Sequence, residues 1–167
     1  MPSPFLVNVG GLRRVPGTRR EECRQGPLAG LAVTGSAVPD GGDVVVDVVL
    51  ESVPGAVLAT GTVEAPWRGD CRRCAGEAVG RLRVEVRELF EEQPDPEQTY
   101  PLDGDRLDLE PMARDAVLLE LPLAPLCSPE CQGLCPTCGA DRNQGDCGCA
   151  PQKVDDRWAA LDALREN

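Results

Sequence analysis

Val44-Val45-Val46-Asp47-Val48-Val49-Leu50-Glu51 is the stretch that decides the fold class. Val44, Val46, Val48 and Leu50 fall on one face of an extended chain, and Val45, Asp47, Val49 and Glu51 on the other. Valine is stiff at its branched Cβ and fits a half-buried pleated surface better than a helix. Pro39-Asp40-Gly41-Gly42 before the stretch and Val53-Pro54-Gly55 after it are turn signals. Val57 to Val63 reads as the next strand. Leu82, Val84 and Val86 then alternate with Arg83, Glu85 and Arg87, which marks a strand with one wet face. Consecutive strands joined by short turns pair antiparallel, so the pattern predicts a meander.

Outward from this centre the signals are more mixed. Phe5 to Val9 reads as a short strand that Gly10-Gly11 breaks. Leu12 to Glu22 is basic and interrupted by Gly and Pro, which reads as loop, and Leu28 to Val38 is a further strand candidate. Residues 91–107 read as an acidic loop containing proline. Asp108 can cap a helix that starts near Leu109, with Pro111 tolerated in its first turn. Met112, Ala116, Val117 and Leu119 would form its inner face, and Pro122 ends it. Asp155 to Arg165 reads as a short amphipathic helix, with Trp158, Leu161 and Leu164 on one side. The expected architecture is α+β. An antiparallel β-rich domain with one or two helices spans residues 1–126. A cysteine-rich, zinc-binding extension follows at 127–150, and a short helical tail at 151–167.

Composition narrows the function classes. Hydrophobic residues make up 41% of the 167-residue chain and aromatics only 3%, so the core has to be aliphatic. The formal net charge is −11, which argues against wholesale nucleic-acid binding and favours a basic protein partner. The charge is unevenly spread. Glu85 to Glu110 holds ten acids against two arginines, a net of −8. Residues 1–30 hold five arginines against two glutamates, a net of +3, and residues 66–87 hold six arginines against three acids, also +3. The chain has no histidine, which excludes Ser-His and Cys-His catalysis. No stretch reads as a secretory leader and no apolar run has membrane-spanning length, so the expectation is a cytoplasmic chain without membrane contact.

A cytoplasmic chain keeps its thiols reduced, so nine cysteines are better explained by metal than by disulfides. Their spacing is Cys71-x2-Cys74, then Cys127-x3-Cys131-x3-Cys135-x2-Cys138, then Cys147-x-Cys149. Two cysteines separated by two residues can wrap one metal in a tight knuckle, and structural zinc takes four such ligands in a tetrahedron. Setting Cys23 aside leaves enough thiols for two zinc ions. Cys135, Cys138, Cys147 and Cys149 would make a compact local site. Cys71, Cys74, Cys127 and Cys131 would make a long-range clasp, which closes the kind of long loop that yields the largest chain-entropy benefit. A rival grouping takes Cys131 with Cys135, Cys138 and one of Cys147 and Cys149, which would leave one ion. Four thiolates around one divalent ion leave a cluster net negative, so the zinc reads as structural. Cys71 and Cys74 could instead form a redox pair, but such pairs sit at a helix N-terminus after a strand, and here a strand comes after the pair. Cys23 reads as a small, semi-buried residue.

Two arginine groups are candidates for RNA contact. Arg13, Arg14, Arg19 and Arg20 would form a flexible arm, and Arg72 and Arg73 lie inside the first knuckle. The simpler reading of Arg72 and Arg73 is a solvated face balancing nearby acids. No acidic pair has the spacing of a catalytic dyad and no phosphate-binding glycine loop is present. The expectation is therefore a protein that is not an enzyme and has no small-molecule substrate.

Several pieces together resemble the YceD family, the large ribosomal RNA subunit accumulation proteins. They are the Cys71-x-Arg73-Cys74 knuckle after a strand and the acidic loop leading to Asp105-Arg106-Leu107-Asp108-Leu109. Leu121-Pro122-Leu123-Ala124-Pro125-Leu126-Cys127 and Cys131-x-Gly133-Leu134-Cys135-Pro136-x-Cys138-Gly139 come next, and Asp156-Arg157-Trp158-Ala159-Ala160-Leu161 closes the match. The resemblance covers the chain from about residue 40 onward. It implies a ribosome biogenesis factor that supports synthesis, processing or stability of 23S rRNA. Such a factor would act by binding RNA, a basic ribosomal protein, or both; the charge favours protein contact through the acidic stretch from Glu88 to Glu110, with RNA contact confined to the arginine patches. It supplies no catalytic residues. A thiol-disulfide oxidoreductase using Cys71 and Cys74, and a zinc-ribbon transcription adaptor, are the alternatives.

Overall fold

The computed structural model describes residues 3–150, so the helix expected at 155–165 lies outside the described residues. In chain order the elements are β1 (Leu6–Asn8), α1 (Gly10–Arg13), β2 (Arg19–Pro27), β3 (Ser36–Ala37) and β4 (Asp43–Val53). Then come β5 (Ala56–Asp70), β6 (Glu77–Glu91), β7 (Tyr100–Asp103), β8 (Arg106–Asp108), α2 (Glu110–Glu120) and a single 3₁₀ turn, Arg142–Gln144. One sheet runs in the order β1-β8-β7-β6-β5-β4-β2, with β3 laid on β5. Its centre is the antiparallel trio β4, β5 and β6, as the valine alternation requires. Val44, Val46, Val48 and Leu50 are buried, while Asp47 on the opposite face is exposed.

The core lies between this sheet face and α2. Phe5, Phe90, Leu50, Leu107, Leu109 and Met112 are its largest fully buried side chains. Helix α2 contributes Met112, Ala113 and Val117 and packs on β5 and β6. Leu119 is 87% exposed, so it is not on the inner face expected for it. Asp108 accepts from the Glu110 backbone N–H at 3.0 Å, and this turn starts the helix, with Pro111 in its first turn. A second, smaller apolar cluster joins Cys71, Ala78 and Cys131, with Trp67, Cys74 and Leu126 packed against it.

Three expectations are corrected. Arg19 and Arg20 do not lie on a flexible loop; they begin β2, which pairs with β4 from Arg19 opposite Glu51 to Pro27 opposite Asp43. Its alternation is hidden from a hydrophobicity reading because the positions sharing the Leu50 face are Arg20, Glu22 and Arg24. Glu22 neutralises both arginines, at 2.7 and 2.8 Å. Inward charges on an outermost strand also protect it from pairing with another chain. Second, of Leu28 to Val38 only Ser36–Ala37 forms a strand, against Gly69 and Arg68. Third, the meander is interrupted. Beyond β6 the chain does not reverse but returns parallel, Phe90 opposite Tyr100. Pro94 and Pro96 cannot continue the ladder, and Asp95 closes a turn by accepting from Glu97 N and Gln98 Nε2. The acidic stretch thus contains β7 and β8.

β5 can pair this closely with β4 at Val48 only because residue 61 has no side chain. A Cβ placed on Gly61 would lie 2.1 Å from the Asp47 carbonyl oxygen and 2.7 Å from Val48 Cα. Both are backbone atoms in the central strand pair and cannot swing aside. Gly61→Ala is expected to destabilise the domain by about 1–3 kcal/mol, the range for forced overpacking. A urea midpoint equal to wild type would refute this account of the close approach.

Candidate metal centres

β5 and β6 form a hairpin that extends past the core, and its tip presents the first knuckle. Cys71 N donates to Gly76 O at 2.7 Å and Ala75 N to Cys71 O at 2.8 Å, with Ala75 in the left-handed region at φ 56°. The chain leaving α2 is led to this tip by hydrogen bonds. Ser36 Oγ donates to Pro122 O at 2.9 Å, and Arg72 N donates to Pro125 O at 3.0 Å. Arg73 then fastens residues 131–134: its guanidinium donates to Cys131 O at 2.9 Å and its own carbonyl accepts from Leu134 N at 3.0 Å. Gly133 allows that approach, since a Cβ there would lie 2.9 Å from Arg73 O and its φ is +72°.

These contacts bring Cys71, Cys74, Cys127 and Cys131 together, with all four sulfurs within 4.8 Å of one another. Cys71 Sγ lies 3.8 Å from Cys131 Sγ, and Cys74 Sγ lies 3.6 Å from Cys127 Sγ. A disulfide would need about 2.05 Å. A tetrahedron with metal–sulfur bonds of about 2.3 Å has edges of about 3.8 Å. The spacing therefore fits one tetrahedral thiolate-bound ion.

Cys135, Cys138, Cys147 and Cys149 form the second set, again with sulfurs within 4.8 Å. Gly139 N donates to Cys135 O, and Cys135 N to Ala140 O, both at 2.8 Å, which curls the Cys-Pro-Thr-Cys-Gly turn. Cys131 groups with the clasp and not with this tail set, so the structure does not bear the rival grouping.

The thiols of each set are electrostatically divided. The Cys127 backbone amide, with those of Cys74 and Arg73, holds the Cys71 thiol down to about 6. The Asn143 side-chain amide lowers Cys131. Cys127 is pushed up to about 12 by hydrogen bonding with Cys131 and Cys74. At Cys74 the Gly76 amide acts downward, but burial and the neighbouring thiols outweigh it and the net shift is upward. The tail set repeats the pattern. The Cys138 and Thr137 amides hold Cys135 near about 6, while Cys138 and Cys147 push Cys149 to about 12. Thiolates crowded this closely share protons unless a cation replaces them. Either set could hold a metal ion, and its all-sulfur donors suit a soft or borderline one.

The arginines chosen as RNA contacts are largely occupied. Arg13 meets Glu92 at 2.7 Å and Arg19 meets Glu51 at 2.9 Å. Arg20 meets Glu22 and donates to Asn8 O at 2.8 Å. Arg73 is engaged inside the clasp. Arg14 and Arg72 are exposed and form no ion pair among the described residues. Cys23 is exposed on β2, not semi-buried.

Two features were not read from the sequence. One is Asn143, whose Nδ2 donates to Cys131 Sγ at 3.4 Å. An asparagine in a polar turn carries no signal of such a contact. The other is the shape of the acidic region, a groove of about 450 Å3 between the β6–β7 loop and α2, in which Asp115 of α2 joins Glu88 and Glu97 of the acidic stretch. None of these three is in an ion pair among the described residues. Tyr100 forms part of the wall. Its hydroxyl donates to Asp115 at 3.0 Å, and burial and that carboxylate push its ionisation upward. Among the described residues no helix is long and apolar enough to cross a membrane.

An uncharacterized protein of Mycobacterium tuberculosis is 36% identical over 168 residues, covering 95% of this chain and 80% of its own. The large ribosomal RNA subunit accumulation protein YCED homolog 1, chloroplastic, of Arabidopsis thaliana is 33% identical over 67 residues, covering 40% of this chain and 21% of its own. The protein of the same name from Zea mays is 39% identical over 56 residues, covering 33% and 19%. No solved structure matches the chain significantly. The family model described as large ribosomal RNA subunit accumulation protein YceD matches residues 59–165, which take in both cysteine sets and the acidic groove. The chain therefore belongs to the YceD family of large ribosomal RNA subunit accumulation proteins.

Proposed function

We propose that this protein is a cytoplasmic, non-enzymatic factor for accumulation of large-subunit 23S rRNA, and that it works by holding a basic ribosomal protein in its acidic groove. Two zinc ions, one per cysteine set, serve as scaffold. The observation that carries the reading is the groove itself. Its three carboxylates have no cationic partner in an ion pair among the described residues, and Pro94, Pro96 and Pro101 line it beside them. A lysine- or arginine-rich segment complements that charge, whereas phosphate does not. RNA contact, where it occurs, falls to Arg14 and Arg72.

The test is complementation. Cells lacking the protein are expected to lose 23S rRNA relative to 16S rRNA, and the wild-type chain to restore it. Glu88→Lys/Glu97→Lys/Asp115→Lys is expected to fold, bind metal and fail to restore the ratio. Full restoration by that variant would sink the groove reading. An unchanged ratio in cells lacking the protein would sink the whole proposal.

Thiol redox chemistry at Cys71 and Cys74 is the competing reading. A thiol titration of the metal-loaded chain separates the two. Nine cysteines less eight ligands leave one reactive thiol, Cys23, whereas a free redox pair adds two more.

A further inference from the structure

Asn143 belongs by position to one cysteine set and by contact to the other. It lies in the loop between Cys138 and Cys147, whose ends are ligand positions of the tail set. Yet its side-chain N–H is directed at Cys131 of the clasp, 3.4 Å away. The amide is held on every side. Its Oδ1 accepts from Gln132 N at 2.7 Å, which fixes which end is oxygen. Asp141 Oδ1 accepts from both its backbone N, at 2.9 Å, and its Nδ2, at 2.7 Å. The remaining Nδ2 hydrogen is the one given to sulfur.

We propose that Asn143 couples the two metal sites: metal in the tail set places its amide on Cys131 and thereby tightens metal binding in the clasp. The inference rests on the reading that both sets hold metal. The loop at 139–146 buries no side chain of its own. What fixes it is backbone pairing to 133–135, through Arg142 N to Gly133 O at 2.9 Å and Cys135 N to Ala140 O at 2.8 Å, together with its two anchored ends. Releasing the ends at Cys138 and Cys147 frees the loop and withdraws the amide. An N–H···S bond offsets the charge of a metal-bound thiolate and orients it, and losing such an outer contact typically costs about 10–100-fold in metal affinity. Coupling of this kind is reciprocal, so a loaded clasp also favours loading of the tail.

The test uses the full chain in four forms: wild type, Asn143→Ala, Cys147→Ser/Cys149→Ser, and the combination. Zn2+ is titrated against a chromophoric chelator, and Co2+ absorption counts the thiolate sites. Wild type is expected to take two ions. The cysteine double variant should keep one ion, held about 10–100-fold more weakly than the clasp of wild type. Asn143→Ala should weaken the clasp by a similar factor, and the combination should add no further loss. With Co2+, Asn143→Ala should also shift part of the sulfur-to-metal charge-transfer band to lower energy. A merely loosened fold would not do that. Asn143→Asp, which keeps the shape but cannot donate to sulfur, should behave as Asn143→Ala. A clasp affinity unchanged in the cysteine double variant, or losses that multiply in the combination, would overturn the coupling while leaving two metal sites intact. A wild-type chain that takes no ion would overturn the metal reading and the coupling with it.

Discussion

Chelation of the metal-loaded protein is expected to unfold residues 127–150 and to leave the sheet standing. Within that segment the buried residues are Cys131, Gly133 and Cys135, so no aliphatic side chain holds it together. Every member of the main core cluster lies between Phe5 and Leu121. Ordering a segment of this length costs about 1–2 kcal/mol per residue in backbone entropy, and without an aliphatic core the ligands and a few hydrogen bonds are what oppose that cost. Structural zinc supplies about 10–16 kcal/mol in small four-ligand sites, an amount on the scale of a whole domain's stability. Amide exchange reads the result. Protection at Leu134, Cys135 and Gly139 should vanish with chelator, while protection along β4 and β5 persists. Retained protection in the tail would refute a scaffolding metal.

The same experiment has a defined pH dependence. The loaded sets carry no thiol protons. In the metal-free clasp Cys74 and Cys127 are raised and hold theirs at neutral pH, whereas Cys71, near about 6, has largely lost its own. Loading therefore releases at least two protons, from Cys74 and Cys127, and affinity rises with pH by at least about 100-fold per unit near neutrality. Below about pH 6 Cys71 binds a proton as well, and the loss of affinity on acidification steepens. In the tail set Cys147 and Cys149 are raised and Cys135 lies near about 6, so its loading also releases protons and its affinity also rises with pH.

Strand content and the grouping of the sulfurs are both legible in the sequence, for one reason: each depends on spacing. Alternation at Val44 to Leu50 fixes a face, and two-residue gaps at Cys71/Cys74 and Cys135/Cys138 fix knuckles. Features that could not be read depend on partners far away in the chain. β2 hides because Arg20, Glu22 and Arg24 occupy core-side positions, made tolerable by one another and not by any local pattern. The shape of the acidic groove hides because β6 and β7 pair in parallel, Phe90 opposite Tyr100, and because Asp115 reaches the groove from α2. Asn143 hides because its contact, Cys131, becomes a neighbour only after Arg73 has drawn residues 131–134 against the hairpin tip.

Phe90 makes the dependence of the groove on distant partners measurable, and Phe90→Ala is expected to cost about 3–5 kcal/mol. The chain has two phenylalanines, and both are fully buried. Phe90 sits opposite Val57 on β5 and opposite Tyr100 on β7. Its ring stacks on Tyr100 at a centroid distance of 5.4 Å and an angle of 29°. The neighbouring core is aliphatic and strand-bound, so it cannot collapse into the space an alanine leaves, and nearly the whole cavity cost is felt. Against a typical stability of about 5–15 kcal/mol, that loss brings the domain near its limit. Phe90→Leu fills most of the space and should cost under about 1.5 kcal/mol, and Leu119→Ala, on the exposed face of α2, should fall within about 0.5 kcal/mol of wild type. Urea unfolding of the three variants with metal bound gives the order. The consequence for function comes through Tyr100, which loses its stacking partner where it lines the groove. Phe90→Leu should therefore weaken capture of a lysine-rich peptide more than its small stability cost explains. Equal capture by wild type and Phe90→Leu would separate the groove from the core beneath it.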